Sequence, residues 1–443
     1  MIQNEIILQK KFHTSESELG SKPNNHNEIQ YQPSISTKTK APPLEGLGRL
    51  MNRAIVHMDL DTFFVSCERL INPKLIGLPI IVGGSSDRGV VASCSYEARK
   101  FGVRSAMPIK YALRLCPQAS VVRGDMEFYS NKSHEVTAIL KEVVPIVEKA
   151  SIDEFYLDLT GMDKFFGCYK WTSELSSKII KESGLPISFA LSVNKTVSKI
   201  GTGEAKPLGK LEITETNVRP FLDPLPIQKI PMLGDVTFQL LSRIGIRNIQ
   251  TLSQMPVEVL QQMIGKNGIE IWKKANGIDD NPVEPYTERK SISTEHTFET
   301  DTIDIYNIKS LITGMVEKLS YQLRSEGFLA STVVIKIRYN NFDTETKQIK
   351  IPYTSFDHIL TKTAIEMFTK LYIRRMRLRL VGIRFTGLVR GTYQINMFED
   401  TTEMLSLYQA IDKIKNRFGF DAVSRCSGTI MKQSKKQEAG SGK

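Results

Sequence analysis

The sequence predicts an α+β protein of several domains, and three observations lead to this class. The chain has 443 residues, of which 41% are hydrophobic. At about 150 residues per domain, that is enough for roughly three cores. Strand and helix signals alternate from residue 54 to about 215, the segment 223–288 has a helical pattern, and strand patterns return beyond it. The composition excludes global disorder, collagen and a small disulfide scaffold.

The chain ends and the cysteines predict a cytoplasmic protein with no membrane partner. Residues 1–50 mix Ser, Asn, Thr, Lys and Pro without periodicity, and we expect them and residues 432–443 to be disordered. No stretch approaches the roughly 20 apolar residues of a membrane helix, and the N-terminus lacks the order of a secretory signal. Neither a disulfide framework nor a zinc site is indicated, because the five cysteines are scattered and form no C-x-x-C pair. They are Cys67, Cys94, Cys116, Cys168 and Cys426.

The order of local signals outlines the domains. Ordered structure is expected to begin with the strand AIVHMD at 54–59, which ends on a carboxylate. The glycine-containing segment 83–89 matches no complete phosphate-binding loop and predicts a turn. Two short helices are expected around 230–234 and 240–244. The polar stretch 279–289 contains two prolines and predicts an extended linker.

Positive charge is concentrated in the last third of the chain. The formal charge is +11, and from Lys290 onward 24 basic residues stand against 16 acidic ones, which contributes +8. Two runs there, 333–340 and 375–380, alternate with period two between apolar and cationic residues. They predict a sheet with one face against phosphates, the alternative being an ordinary solvated face. The expected DNA contacts are Lys336, Arg338, Arg377, Arg379 and Arg384.

A tail helix is predicted over 403–420, because apolar residues recur there at steps of three and four. We expect this stripe to dock on the protein, with membrane attachment as the alternative. Its members are Met404, Leu407, Ile411, Ile414 and Phe418.

Two carboxylate clusters, each predicted at the end of an apolar strand, are candidates for chemistry. They are MDLD at 58–61 and SIDE at 151–154. Crowded carboxylates repel one another, and protonation or a divalent cation relieves the repulsion. Asp59, Asp153 and Glu154 could bind Mg²⁺, and two such ions could assist phosphoryl transfer. The alternative is that these acids are turn and cap residues. Asp153 and Glu154 can face one metal only if the strand ends or turns there.

A second constellation lies where a strand is predicted to enter a helix, at 93–102. Ser93 or Ser95 lies near the helix start, and Tyr96 and Arg99 share a helical face because they are three residues apart. A phenol and a guanidinium placed in this way could bind a triphosphate, or they could form an ordinary surface pair. Lys206 could add a further cation.

Five segments of the chain form a distinctive set when taken in their order and spacing. They are HMDLDTFFVSCE (57–68), ASCSYEARKFGV (92–103), SIDEFYLDL (151–159), LSVNKTVSKIGTGEAKPLG (191–209) and VGIRF (381–385). Together they closely resemble the DinB or polymerase IV branch of the Y-family translesion DNA polymerases. The resemblance covers roughly residues 53–395.

The resemblance implies a right-hand polymerase with a ferredoxin-like palm, small fingers, a helical thumb and an α+β little finger. The implied domains are the palm at 53–62 and 124–214, fingers at 63–123, thumb at 215–285, linker at 286–291 and little finger at 292–395.

The resemblance also implies individual roles. Asp59 and Asp153 would be paired ligands of two Mg²⁺ ions, assisted by the Leu60 carbonyl, and Glu154 would be the third catalytic acid. Phe64 would be the steric gate that excludes a 2′-hydroxyl, although without the family Phe63 and Phe64 would both be interpreted as core residues. The residues implied for the incoming triphosphate are Ser93, Tyr96, Arg99 and Lys206.

The implied activity is low-fidelity, template-directed DNA synthesis in translesion synthesis and repair. The substrates would be primed template DNA and deoxynucleoside triphosphates, and the protein is expected to be a monomer. No second acidic constellation remains for proofreading. The segment 394–398, QINMF, resembles a sliding-clamp-binding peptide, with Gln394, Met397 and Phe398 as its contacts. One departure is Met232, which stands where the thumb hairpin of the family usually has glycine.

Three hypotheses compete at this stage. They are a DNA polymerase, a different enzyme such as a nuclease or a nucleotide cyclase, and a non-catalytic DNA-binding or clamp-bound scaffold. A metal-dependent nuclease would not need the triphosphate set, and a nucleotide cyclase would not need a separate basic module. A non-catalytic scaffold would be expected to lose at least one of the three acids, and all three are present. The sequence therefore favours an active polymerase.

Overall fold

A computed structural model of the chain describes residues 53–84, 88–162, 167–391 and 401–425. The expectations for 1–50, 394–398 and 432–443 lie outside these ranges. Twelve strands and fourteen α-helices occur within them, which confirms the α+β class. The strands are β1 (Ile55–Leu60), β2 (Ile80–Gly83), β3 (Val91–Cys94), β4 (Ser120–Val122), β5 (Val147–Lys149), β6 (Glu154–Asp158), β7 (Ile187–Ser192), β8 (Lys210–Glu212), β9 (Ser291–Thr302), β10 (Phe328–Tyr339), β11 (Thr344–Thr354) and β12 (Leu378–Arg390).

The helices include five in the segment between β8 and β9, as the helical pattern there predicts. The fourteen helices in the described ranges are α1 (Phe63–Ile71), α2 (Tyr96–Lys100), α3 (Ile109–Leu115), α4 (Met126–Val143), α5 (Cys168–Ser183), α6 (Lys195–Ala205), α7 (Val218–Leu222), α8 (Asp235–Arg243), α9 (Ile249–Ser253), α10 (Val257–Ile264), α11 (Lys266–Ala275), α12 (Ile305–Ser325), α13 (Asp357–Leu371) and α14 (Thr401–Phe418). No helix in the described ranges is long and apolar enough to cross a membrane.

The central sheet has the strand order β5-β6-β1-β7-β8, with β1 antiparallel to both neighbours. All six residues of β1 are buried, because helices cover both faces of the sheet. Helices α4 and α5 contribute Leu140 and Ile179 to one core with β1. On α6, a Cβ added at Gly201 would come within 2.8 Å of the Ala190 Cβ, so glycine permits this helix to lie close to β7.

Two further sheets and a helical bundle complete the described fold. A small sheet has the order β3-β2-β4, and the C-terminal sheet has the antiparallel order β11-β10-β12-β9. Helices α12 and α13 bury their apolar residues against the C-terminal sheet, as Ile312 and Phe368 show. Helices α7–α11 share one core with the first turns of α6.

The predicted linker is partly bound to the central sheet. The Arg53 guanidinium donates hydrogen bonds to the carbonyls of Asp279 and Asn281, at 3.0 and 2.8 Å. Val283 is buried against Ile55 of β1. The first half of the segment 279–289 is therefore packed, although its polarity predicts a solvated chain.

The tail helix docks through a different face from the one the apolar stripe predicts. Leu407, Ile414 and Phe418 are exposed, whereas Tyr408 and Lys415 are buried. Docking of the helix on the protein is confirmed, and Met404 and Ile411 of the predicted stripe are partly buried. The prediction was wrong for the three exposed members, because polar contacts contribute to the docking face. Arg324 of α12 forms ion pairs with Asp412 at 2.7 Å and with Asp357 at 2.5 Å, and its guanidinium lies 4.8 Å from the Tyr408 ring.

Candidate active site

Three carboxylates lie at one end of the central sheet, where β1 ends and β6 begins. Asp59 in β1 pairs directly with Glu154, the first residue of β6. Asp153 precedes that strand, and its carbonyl accepts a hydrogen bond from the Leu60 N–H at 3.0 Å. The second cluster therefore lies at the start of a strand, and its predicted place at a strand end was wrong. Because the strand begins at Glu154, Asp153 is not subject to the alternation that would separate the two side chains.

Asp59 is buried among charged groups. The whole residue is 9% exposed, and the Lys206 Nζ lies 2.5 Å from the Asp59 Oδ1. Burial raises the pKa of Asp59 to about 7; the Lys206 ammonium opposes this rise, while the charges of Asp153 and Glu154 contribute to it. The Lys199 Nζ lies 2.6 Å from both carboxylate oxygens of Glu154. Two ammonium groups thus compensate the negative charge at this end of the sheet.

The donor set fits a hard divalent cation that substrate phosphates help to bind. Carboxylate oxygens are the ligands such ions prefer, and Mg²⁺ commonly takes only one or two carboxylates from the protein. Within the described ranges, no three His, Cys, Asp or Glu side chains are gathered closely enough to bind an ion by themselves. The Ser151 hydroxyl donates a 2.5 Å hydrogen bond to Asp153 Oδ1, which restrains that carboxylate.

The candidate triphosphate residues come from two parts of the chain. Tyr96 and Arg99 lie on α2, with the Arg99 guanidinium 5.0 Å from the Tyr96 ring centre. The Tyr96 hydroxyl donates to Asp61 Oδ1 at 3.3 Å, and burial, followed by the Asp61 charge, raises the pKa of this phenol. Lys206 follows α6 and reaches the same region through its contact with Asp59.

The two serines before α2 have different places. Ser95 is the N-cap residue of α2, and its hydroxyl accepts a hydrogen bond from the Ala98 N–H at 3.2 Å. It also accepts the Ile80 N–H at 3.0 Å, so its hydroxyl is committed to local structure. Ser93 lies in β3 and is 8% exposed. Of the two serines, Ser93 is therefore the better candidate for a ligand.

The two phenylalanines at the start of α1 have different environments. Phe63 is 2% exposed and belongs to the core of the central sheet. Phe64 is partly exposed and stacks on Tyr129 of α4, with ring centres 4.6 Å apart and planes 15° apart. Tyr129 is fully buried, and its hydroxyl donates a 2.5 Å hydrogen bond to Glu68. The Phe64 ring thus has a rigid support behind it.

The turn before α8 contains a methionine with a left-handed backbone conformation. Met232 has a φ of 70°, in the left-handed region that favours glycine, and it is 92% exposed. A non-glycine residue there costs on the order of 1 kcal/mol.

Cations from two neighbouring strands lie on one face of the C-terminal sheet. Lys336 and Arg338 of β10 share this face with Val334, which is opposite Arg384 of β12. Lys336 forms a 2.9 Å ion pair with Glu295 of β9. The apolar half of the 333–340 pattern is confirmed, because its apolar residues are buried on the other face. This face can meet phosphates, but part of its charge is already compensated.

The regular alternation predicted for the second run was wrong. Strand β12 begins only at Leu378, and the register shifts between Leu378 and Leu380. Leu380 consequently lies opposite Arg338 on the cationic face. Arg379 lies at this irregularity and Arg377 precedes the strand, so the two arginines do not belong to one straight row.

Sequence reasoning gave no role to four residues at this site. They are Asp61, Glu68, Tyr129 and Lys199. Lys199 and Lys206 both lie in the segment 191–209, seven residues apart. This spacing of two lysines is a signal that could have identified Lys199. Tyr129 is 61 residues from Glu68, and no local pattern predicts their contact.

Comparison with known proteins gives matches over most of the chain. The model of the impB/mucB/samB family matches residues 58–203, and that of the C-terminal domain of the same family matches residues 289–397. The DNA polymerase IV of Dehalococcoides mccartyi is 35% identical over 375 residues, which cover 84% of this chain and 96% of the relative. The DNA polymerase IV of Clostridium kluyveri is 34% identical over 401 residues, covering 87% and 100% of the two chains.

Solved structures give similar results. A Y-family DNA polymerase chimera aligns with a TM-score of 0.67 at 25% identity, covering 76% of this chain and 100% of that chain. An insertion ternary complex of Dbh DNA polymerase aligns with a TM-score of 0.57 at 24% identity and the same coverage, which indicates a shared fold.

Proposed function

The chain belongs to the impB/mucB/samB family, the Y-family DNA polymerases, and from this membership we propose roles for its individual residues. It is a template-directed DNA polymerase of the translesion class, with the right-hand fold of that family. As in the family generally, synthesis depends on divalent cations and proceeds without proofreading. The observation that carries this conclusion is that the matched segment 58–203 contains the three carboxylates at one end of the central sheet.

The domain roles follow the sheets and bundles. The central sheet would form the palm, the small sheet the fingers, helices α7–α11 the thumb and the C-terminal sheet the little finger. The boundaries that we propose are 53–62 and 124–214 for the palm, 63–123 for the fingers, 215–285 for the thumb, 286–291 for the linker and 292–395 for the little finger.

The reaction is phosphoryl transfer to a primer. The primer 3′-hydroxyl gives its proton to solvent, and its oxygen forms a bond to the α-phosphorus of the nucleotide. The bond from that phosphorus to the bridging oxygen breaks, and pyrophosphate leaves. Two divalent cations, which we propose to be Mg²⁺, would supply activation of the hydroxyl and charge neutralisation. Asp59, Asp153, Glu154 and the Leu60 carbonyl would bind them. The protein contributes chiefly by positioning the reacting groups.

The triphosphate would lie between α2 and the loop after α6. Arg99 presents a planar set of donors to phosphate oxygens, and Ser93 offers a hydroxyl donor. The Tyr96 hydroxyl has one proton, which it donates to Asp61, and it would bind a phosphate by exchanging that hydrogen bond. Lys206 supports the assignment because its ammonium lies 2.5 Å from Asp59 and thus beside the acids that would bind the cations. Phe64 would face the sugar, and its stacking on Tyr129 supports the role of a gate.

The DNA contacts and the partners are further parts of the proposal. The cationic face with Lys336, Arg338 and Arg384 would lie along the duplex backbone, with Arg377 and Arg379 beside it. Residues 394–398 would bind a sliding clamp through Gln394, Met397 and Phe398. A monomer in the cytoplasm would suffice for this activity, since every proposed site residue belongs to one chain.

Primer extension tests the proposed function. Purified full-length protein is given a primed template, Mg²⁺ and the four deoxynucleotides, beside Asp153→Ala and Glu154→Ala. We expect short, metal-dependent extension that both substitutions abolish while DNA binding, measured by fluorescence anisotropy, persists. Asp158→Asn is the matched control, because Asp158 lies at the other end of β6, opposite Ile55. Extension by Asp153→Ala at the wild-type rate would refute the metal assignment.

A further inference from the structure

A buried carboxylate joins three separate segments of the chain near the active site. Asp61 follows β1 directly and is 1% exposed. Its Oδ2 accepts hydrogen bonds from the Leu208 N–H at 2.7 Å and from the Ser188 hydroxyl at 2.8 Å. Its Oδ1 accepts the Tyr96 hydroxyl at 3.3 Å. These donors belong to the loop after α6, to β7 and to α2, so one side chain connects all three.

The loop after α6 depends on this carboxylate for its conformation. Leu208 has a φ of 52°, in a region that leucine rarely adopts, and its side chain is 56% exposed. Packing of the side chain therefore cannot account for the strained backbone. The 2.7 Å hydrogen bond from the Leu208 N–H to the Asp61 carboxyl group can, because it fixes the backbone at this residue. The Ser188 hydroxyl extends the anchor by accepting the Gly209 N–H at 3.2 Å.

The anchored loop carries a proposed triphosphate ligand. Lys206 lies two residues before Leu208, and its Nζ is 2.5 Å from Asp59 Oδ1. A displacement of the loop backbone would therefore move this ammonium relative to the carboxylates. Tyr96, another of the four proposed triphosphate ligands, is oriented by the same Asp61 side chain.

We propose that Asp61 is a positioning residue for the incoming nucleotide, which holds the Lys206 loop and the Tyr96 phenol where the triphosphate binds. In this role Asp61 would act without contacting the nucleotide or the metals, because it is 1% exposed and its two carboxylate oxygens accept hydrogen bonds from protein groups. The inference rests on the proposed function, because the triphosphate roles of Lys206 and Tyr96 are assigned there. Asp61 would act through Lys206 and Tyr96, so replacing Asp61 should change the affinity for the nucleotide.

The principal test is Asp61→Asn in the full-length protein. Asparagine keeps the size of the side chain but removes the charge and places an NH₂ group against one of the donors. We expect the Kd for the correct deoxynucleotide to rise about tenfold. The measurement uses a dideoxy-terminated primer, so that it does not depend on bond formation. On an ordinary primer KM should rise similarly while kcat changes less than about threefold. A Kd equal to that of the wild type would overturn the proposal.

A double-mutant cycle with Lys206→Ala separates positioning from a general structural effect. If Asp61 acts largely through Lys206, Asp61→Asn should weaken nucleotide binding by about threefold or less in the Lys206→Ala background. An unchanged tenfold effect in that background would overturn the proposed positioning of Lys206 by Asp61. Asp158→Asn makes the same chemical change away from the site, where the Asp158 side chain accepts the Thr160 N–H at 2.9 Å, and its nucleotide Kd should match the wild type.

Ser188→Ala keeps the test decisive if Asp61→Asn does not fold. It removes one donor to the same carboxylate oxygen and the contact to Gly209, so nucleotide binding should weaken by about threefold. Unchanged binding would count against the anchor. Failure of the two proposals is distinguishable. A wild type that binds nucleotide on the blocked primer but extends no primer contradicts the polymerase proposal alone, whereas active variants with wild-type Kd contradict only the role of Asp61.

Discussion

Replacing Phe64 by alanine is expected to admit ribonucleotides to the active site. Phe64 lies in the first turn of α1, shortly after the end of β1, and its ring stacks on Tyr129 with ring centres 4.6 Å apart. Tyr129 is fully buried and is held by its 2.5 Å hydrogen bond to Glu68. The ring therefore cannot move back to accommodate a 2′-hydroxyl, and a ribonucleotide must displace packed atoms.

The magnitude follows from the cost of overpacking. Forcing an additional group into a packed contact costs about 1–3 kcal/mol. Since about 1.4 kcal/mol corresponds to a factor of ten in rate, removal of the ring should reduce discrimination against ribonucleotides by about 5- to 140-fold. The rigid support behind Phe64 places the expectation near the upper end. The substitution should lower the free energy of unfolding by about 2 kcal/mol. Truncating a fully buried phenylalanine to alanine costs about 3–5 kcal/mol, and the Phe64 ring is only partly buried.

The assay is single-nucleotide insertion, with the ratio of kcat/KM for a deoxynucleotide to that for the matching ribonucleotide as the readout. Phe63→Ala is the matched control, since the neighbouring ring is 2% exposed in the core. It should lower the thermal midpoint more than Phe64→Ala does and leave the sugar ratio unchanged. A folded Phe64→Ala protein with the wild-type sugar ratio, or an equal change in both variants, would refute the reasoning.

Three further outcomes are expected. Divalent-cation affinity should fall as the pH drops below about 7, because burial raises the pKa of Asp59 to about 7 and a cation binds the ionised carboxylate. Calorimetric titration of the cation at about pH 6 and about pH 8 checks this prediction. Equal affinities at the two pH values would contradict it. Arg324→Met should destabilise the docking of α14 by about 3–5 kcal/mol, because it leaves two carboxylates without their partner. Thermal unfolding measures the loss, with the exposed Arg374→Met as the control and equal midpoints as the contrary result. Phe398→Ala should reduce clamp-stimulated synthesis and spare basal synthesis, and equal loss of both would argue against a clamp site; a truncation after Tyr393 is less suitable because it would also remove α14.

Local patterns predicted the elements well where one physical cause dominates. The apolar run of β1 predicts a strand, which the structure confirms and buries on both faces. The period-two run at 333–340 predicts its buried face correctly. The pattern at 404–418 predicts a helix but the wrong docking face, because hydrophobicity alone omits the ion pairs of Arg324. The alternation at 375–380 failed because a register shift in the sheet depends on the partner strands.

The candidate site shows the same division. Asp59, Asp153 and Glu154 could be identified from the sequence because they form short acidic clusters, and the resemblance to a family gave them roles. Their chemistry depends on distances that the sequence does not contain. Only folding brings Glu154 opposite Asp59 and an ammonium against each of them.

The sequence by itself determined the α+β class, the basic C-terminal module, the family and the acids of the candidate site. Residue type, periodicity and short motifs are local properties, and they can be read from neighbouring positions. Tertiary structure alone decided that Asp61 anchors the loop of Leu208 and that Tyr129 supports Phe64. Those contacts join residues 147 and 65 positions apart, and such pairings arise only when packing of the whole chain brings distant segments together.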